Sequence, residues 1–195
     1  MTARSKVLII GDSISIGYTP VVAHELEGRF LVAHHEGNSC DSANVLARLD
    51  DWLAADADAA LVHVNVGLHD LRLWRRNGEY QIPLAAYREN LAEIVRRLKA
   101  TGKQLIWATT TPVHDDRNAR GTGDFFRRNA DVLAYNAAAR EIVDAAGIPV
   151  NDLYAVIAEA GLDDALREDG VHMTDRGYQR LGEAVAAAVR RHGST

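Results

Sequence analysis

The sequence predicts an α/β fold, a three-layer α/β/α sandwich with a mostly parallel five-stranded sheet. Two observations carry this reading. Residues 7–10 form an unbroken β-branched and leucine run, the pattern of a strand buried on both faces, and further strand readings follow at 30–33, 60–66, 104–110 and 148–152. Between them lie amphipathic stretches at helical spacing, above all 83–100 and 130–146. Strands that alternate with helices give a parallel sheet with helices on both faces.

In chain order, the first strand stops at Gly11, where the backbone can turn. Residues 19–26 can form a helix and 30–33 a second short strand. The polar stretch 36–42 has turn chemistry. Ser42 is positioned to cap a helix whose apolar residues Val45, Leu46, Leu49, Trp52 and Leu53 recur at helical spacing. The third strand, 60–66, runs into Gly67 and the loop Leu68-His69-Asp70-Leu71. The clearest helix, 83–100, carries Leu84, Tyr87, Leu91, Ile94, Val95 and Leu98 on one face and ends at Thr101-Gly102. After the fourth strand, closed by Pro112, residues 113–129 are polar, glycine-containing and without periodicity. That is long for a connection in a compact domain, and such loops are often functional. A helix over 130–146 leads to the fifth strand, where Pro149 suits a sheet edge. Thr174 is placed to cap a last helix packed through Tyr178, Leu181, Val185 and Val189. No repeat, low-complexity tract or linker interrupts the pattern, so residues 1–195 are expected to form one domain.

A chain of 195 residues can bury a sizeable core, and 47% hydrophobic with 25% charged residues is the composition of an ordinary globular protein. The net charge of -5 gives no reason to expect nucleic acid or an anionic membrane as partner. Apolar runs fall far short of the ~20 residues that span a bilayer, and no export signal is visible before the first strand. Cys40 is the only cysteine, which excludes an intrachain disulfide and points to a reducing compartment. A cytoplasmic location is therefore expected. Oligomeric state is not legible in these features.

Ser13 follows the first strand, and open α/β sheets bind ligands at the carboxyl ends of their strands. A helix starting just beyond would aim its first N–H groups at whatever Ser13 touches. A nucleophilic serine needs a base, and the base needs an orienting carboxylate. Asp169-Gly170-Val171-His172 offers both. On such a turn the Asp169 carboxylate can reach Nδ1–H of His172 and leave Nε2 pointing outward.

Gly11-Asp12-Ser13 near the amino terminus and Asp169-x-x-His172 near the carboxyl terminus, in that order, resemble the SGNH hydrolases, also called GDSL esterases and lipases. The resemblance runs from about residue 7 to residue 182. It implies the SGNH-hydrolase version of a flavodoxin-like fold, with Ser13 as nucleophile, His172 as general base and Asp169 as its orienting acid. It also implies an oxyanion hole with three donors: the N–H of Ser13, a backbone N–H from a second block and an Asn side chain from a third. Two departures fall in this hole. Aligning residues 39–49 on the second block puts Cys40 where glycine is usual. A backbone N–H is all that is needed, so Cys40 can supply it where φ/ψ suits a residue with a Cβ; Gly37 is the alternative. The third block, usually Gly-x-Asn-Asp, stands here as Gly67-Leu68-His69-Asp70. His69 can donate a ring N–H in one tautomer, and Asn65 is the other source.

Asp12 and Asp70 follow the family pattern and read as loop braces. Cys40 has no general-base block of its own, which argues against a thiol nucleophile. His34, His35 and His63 lack the companion ligands of a metal site and read as strand residues. Phe125, Phe126, Arg127 and Arg128 can cover the substrate or pair with an anionic group; the plainer reading is a solvated helix start with two anchoring aromatics. Trp74 and Trp107 can stack on a sugar or fill the core.

The expected reaction is hydrolysis of a short-chain O-acyl ester, above all O-acetyl on a carbohydrate, through an acyl-enzyme on Ser13. A strand-end site without an apolar lid favours short acyl chains, and this chemistry requires no metal or organic cofactor. The partner is then a small-molecule or carbohydrate ester. A thioesterase or lysophospholipase with the same triad is the nearest alternative, and a carbohydrate-binding relative without turnover is one of a different class. A flavodoxin-like FMN or nucleotide binder is disfavoured, because residues 11–17 lack the G-x-x-x-x-G-K-[ST] and G-x-G-x-x-G spacings.

Overall fold

In the computed structural model, which describes residues 4–193, the chain begins with β1 (Ser5–Ile10), α1 (Ser13–Glu25), β2 (Phe30–His34), α2 (Ser42–Ala55) and β3 (Ala59–Val64). It continues through β4 (Leu73–Trp74), α3 (Leu84–Ala100), β5 (Gln104–Ala108), α4 (Asp115–Arg120), β6 (Phe125–Phe126) and α5 (Asn129–Ala145). Then follow β7 (Val150–Asn151), α6 (Leu153–Ala160), α7 (Leu162–Ala165) and α8 (Asp175–His192). The main sheet has the order β2-β1-β3-β5-β7, and every neighbouring pair is parallel. Val7 to Ile10 are fully buried, as a strand covered on both faces must be.

With the right-handed crossovers such sheets adopt, α1 lies on one face and α2, α3 and α5 on the other. The packing agrees: α8 lies against α1 and α6, while α2 packs on α3 and α3 on α5. The contact between α1 and α8 is close, since a Cβ at Gly17 would run into Tyr178 and one at Gly182 into Val21. After β1 the sheet grows on both sides, to β2 and then to β3. That reversal opens a crevice at the strands' carboxyl ends.

Several elements differ from the sequence reading. Helix α1 begins at Ser13 rather than near residue 19. Ser13 to Gly17 are poor helix formers and Pro20 sits inside the helix, yet the Asp12 carboxylate caps the Ile14 N–H at 2.9 Å, and Ile14, Tyr18 and Val22 are buried. The cap of α2 is Asp41, which accepts from the Asn44 N–H at 3.0 Å; Ser42 is instead the first helical residue. The ladders of β3 and β5 end at Val64 and Ala108, short of the expected 66 and 110. The stretch 113–129 is not structureless: it holds α4 and then β6, which pairs antiparallel with β4. Helices α6 and α7 fill residues that gave no clear pattern. The Pro149 expectation holds: β7 is the sheet edge, and Pro149 there only accepts, from the Trp107 N–H at 3.0 Å. Among the described residues no helix is long and apolar enough to cross a membrane.

Candidate active site

Ser13 is the first residue of α1, three residues past the end of β1 and on the crevice at the sheet reversal. The first N–H groups of a helix have no acceptor within it. Here the Asp12 side chain takes one of them, from Ile14, and its carbonyl accepts the first helical bond, from Ile16, so the turn is clamped from the residue preceding Ser13. Asp12 is 2% exposed and burial pushes its carboxyl up, against Ile14, Arg127, His172 and Arg72, which pull the other way.

His172 comes from the loop between α7 and α8 and is 159 positions away in sequence. Its Nε2 lies 3.0 Å from Ser13 Oγ, and its Nδ1 lies 2.6 Å from Asp169 Oδ2. The other Asp169 oxygen accepts from the N–H groups of Val171 and His172, both at 2.9 Å. Burial alone would raise the Asp169 carboxyl, but the His172 ring and these two amides outweigh it and hold it below the usual carboxylate range. The sharp turn requires Gly170, whose φ is +69° and where a Cβ would stand 2.7 Å from the His114 carbonyl. Helix α4 braces this turn. The His114 N–H donates to the Gly170 carbonyl at 2.8 Å, and Asn118 Nδ2 donates to that of Asp169 at 3.1 Å. Asn118 carried no signal in the sequence, because its partner is backbone remote in the chain.

The second-block residue Cys40 is the one non-glycine with positive φ among the described residues, at +54°. The backbone there has the conformation a glycine would adopt. Its N–H donates to Asn38 Oδ1 at 2.8 Å, so in this conformation that donor is engaged within its own loop. Gly37, the alternative, also has positive φ, +78°. Asn65 is committed elsewhere: its Nδ2 donates to the Ala108 carbonyl at 2.8 Å.

His69 is 7% exposed. Burial, together with Arg72, Arg127 and His172, pushes its pKa down to about 3, so the ring is neutral at ordinary pH. Its Nε2 faces Arg72 Nη2 at 3.4 Å. A guanidinium only donates, so Nε2 accepts and the ring proton sits on Nδ1. That Nδ1 is buried and has no hydrogen-bond partner among the described residues. Asp70 next to it braces α2, accepting from the N–H of Ser42 at 3.0 Å and from its hydroxyl in a shorter bond.

A cleft of about 540 Å³ opens beside His172 and Asp169 and is lined also by Phe125, Arg127, Arg117 and Glu168. Arg127 and Arg128, adjacent in the loop, point to different places. Arg127 is 6% exposed and its Nε donates to the Leu68 carbonyl at 2.6 Å, whereas Arg128 is exposed and pairs with Asp131. Trp107 is buried core, and Trp74 packs edge-on against Phe125. His34 and His63 lie in strands β2 and β3, and His35, just past β2, lies tilted against Trp52.

The wholly parallel sandwich and the motifs along it belong to a class, the serine acylhydrolases. The chain is a member of the GDSL-like lipase/acylhydrolase family, whose model matches residues 9–180, and it is thus a hydrolase of carboxylic ester bonds. No curated protein matches it in sequence. A solved lipase/acylhydrolase from Enterococcus faecalis is 22% identical with a TM-score of 0.81, covering 96% of each chain. Axe2, an acetylxylan esterase from Geobacillus stearothermophilus, is 20% identical at a TM-score of 0.75, covering 100% of this chain and 98% of that one. The acetyl xylan esterase AlAXEase is 17% identical at 0.74, covering 94% and 99%. At these identities the likeness shows the shared fold.

Proposed function

We propose that the protein is a serine esterase that removes short O-acyl groups, acetyl on a carbohydrate in particular, through an acyl-enzyme on Ser13. The observation that carries this reading is the pair of distances at His172, 3.0 Å to Ser13 Oγ and 2.6 Å to Asp169 Oδ2. His172 Nε2 takes the Ser13 proton as Oγ attacks the ester carbonyl carbon, and Asp169 offsets the imidazolium charge. The tetrahedral oxyanion is met by the Ser13 N–H and by Nδ1–H of His69, with the Cys40 N–H as a third donor once the Asn38 side chain turns away. As the carbon–oxygen bond breaks, His172 returns the proton to the leaving alkoxide. Water activated by the same ring then attacks the acyl-enzyme and releases the acid and Ser13. The fold shared with two acetylxylan esterases supports the acetyl preference.

The test is release of acetate from acetylated xylo-oligosaccharides and from p-nitrophenyl acetate, by wild type and Ser13→Ala. Ser13-dependent turnover, faster on the acetate than on long-chain p-nitrophenyl esters, is expected. Turnover that survives Ser13→Ala would overturn the acyl-enzyme, and faster cleavage of long chains would overturn the short-chain preference.

A further inference from the structure

Two guanidinium groups without an ion-pair partner among the described residues flank Phe125, whose ring lines the cleft. Arg127 lines it together with His172, and Arg72 lies beside His69. Their Cζ atoms sit 5.1 and 4.5 Å from the centroid of the same Phe125 ring. Among the described residues neither Arg127 nor Arg72 forms a salt bridge. Arg127 spends Nε on the Leu68 carbonyl, and the Nε of Arg72 is buried without an acceptor.

Asp12 and Asp169 act on Arg127 through space, and Asp12, Asp41 and Asp70 on Arg72, but none of these carboxylates forms an ion pair with either guanidinium among the described residues. Asp169 is held by His172 and two backbone amides, and Glu168 is a solvated residue on the cleft's rim. Asp12, also near, is buried with one oxygen on the Ile14 N–H and the other unpartnered. Of the other guanidiniums lining the cleft, Arg117 is already bonded to Asp163 and to the Leu166 carbonyl, and Arg120 is exposed to solvent with its Nε on the Asp116 carbonyl. A buried cation without a counterion costs several kcal/mol. Holding buried Arg127 and half-buried Arg72 side by side near the nucleophile makes sense where a ligand brings the countercharge.

We infer that the cleft takes esters whose acid or alcohol part carries a carboxylate, sulfate or phosphate, bound by Arg127 and Arg72 with Phe125 fixing both guanidinium planes. This deepens the esterase reading and rests on it for the identity of the ligand as an ester. A planar guanidinium presents paired donors that match such oxyanions, and cation–π contact with Phe125 holds the planes without neutralising them.

Binding is read independently of turnover by calorimetry on Ser13→Ala protein. An alcohol-side arm compares O-acetylated methyl galacturonoside with the O-acetylated neutral methyl galactoside. An acid-side arm compares p-nitrophenyl hemisuccinate with p-nitrophenyl butyrate. The charged member is expected to bind at least tenfold more tightly in one arm, which identifies where the anion sits. Arg127→Gln and Arg72→Gln should each erase most of that preference and leave the neutral ligand's affinity within about twofold, while Arg127→Lys keeps part of it. Arg72 is only half-buried, so its variant tests the inference even if Arg127→Gln fails to fold. Equal affinity within both pairs, or a preference untouched by Arg72→Gln, overturns the anion site. If wild-type turnover proves independent of Ser13 while the charged preference persists, the esterase reading falls and the anion site stands.

Discussion

The Ser13 hydroxyl and the His172 ring, one at the start of α1 and the other just before α8, are 3.0 Å apart because those two helices pack together at glycines. Their close approach is thus a property of the fold as much as of the two loops. Ser13→Ala is expected to lower kcat on p-nitrophenyl acetate by about 10⁶-fold, as loss of a triad nucleophile does. Asp169→Asn should cost about 10⁴-fold, since an amide at 2.6 Å from Nδ1 favours the wrong tautomer. Single-turnover kinetics on purified variants checks both. Equal, small losses would mean that the contact is structural.

In the proposed mechanism His69 is an oxyanion donor, and its contact with Arg72 Nη2 at 3.4 Å puts the ring proton on Nδ1. His69→Ala should lower kcat by about 10²- to 10³-fold, the usual effect of removing one oxyanion donor. His69→Asn, which restores an amide donor, should stay within about tenfold of wild type. Because burial pushes the His69 pKa down to about 3, the ring is neutral throughout the working range. The shape of the pH–rate profile from pH 5 to 8 should therefore be the same for wild type and His69→Asn. A changed profile would mean that His69 titrates during catalysis.

What the sequence revealed followed from local chemistry. Val7 to Ile10, Gly11 and the Asp169–His172 turn were legible because burial on both faces, chain reversal and a two-residue reach are each written in adjacent residues. The α1 start was hidden because Asp12 supplies its cap while Ser13 to Gly17 argue against helix. The β4–β6 ribbon was hidden too, since two residues per strand carry no period. Arg72 was missed altogether: only the three-dimensional pairing of β4 with β6 brings it over Phe125. Asn38 was missed because its bond to the Cys40 N–H depends on a backbone turn, not on residue type.

Cys40 holds φ of +54°, a region where a Cβ is strained by about 1 to 2 kcal/mol. Cys40→Gly relieves that strain but adds freedom to the unfolded chain, which offsets part of it. A net gain of about 0.5 to 1 kcal/mol is expected in urea denaturation. Catalysis should change by less than about threefold, because the backbone N–H is retained. A loss of stability would mean that the thiol packs more favourably than the strain costs.

Asp70 makes stability depend on pH in an unusual direction. Burial pushes its carboxyl up to about 7, against the two Ser42 donors that pull it down, whereas in the unfolded chain it ionises near 3.9. Between those values the folded state binds more protons than the unfolded state. The contribution of Asp70 to stability is therefore full below pH ~4, falls as pH rises towards 7 by at most about 1.4 kcal/mol per pH unit, and is constant above. Buried His63 and His69, pushed down to about 4 and about 3, act oppositely over most of that window, up to about pH 6.5, since the unfolded chain binds their protons first. These opposing trends partly cancel in wild type, so the measurement has to be a difference. Asp70→Asn keeps an oxygen to accept from Ser42 and removes only the titration. The unfolding free energy of Asp70→Asn minus that of wild type, from urea melts at pH 4 to 8, is expected to climb up to pH 7 and then level off. A difference that stays flat across the range would mean that Asp70 is ionised in the folded protein throughout, with the Ser42 donors outweighing its burial.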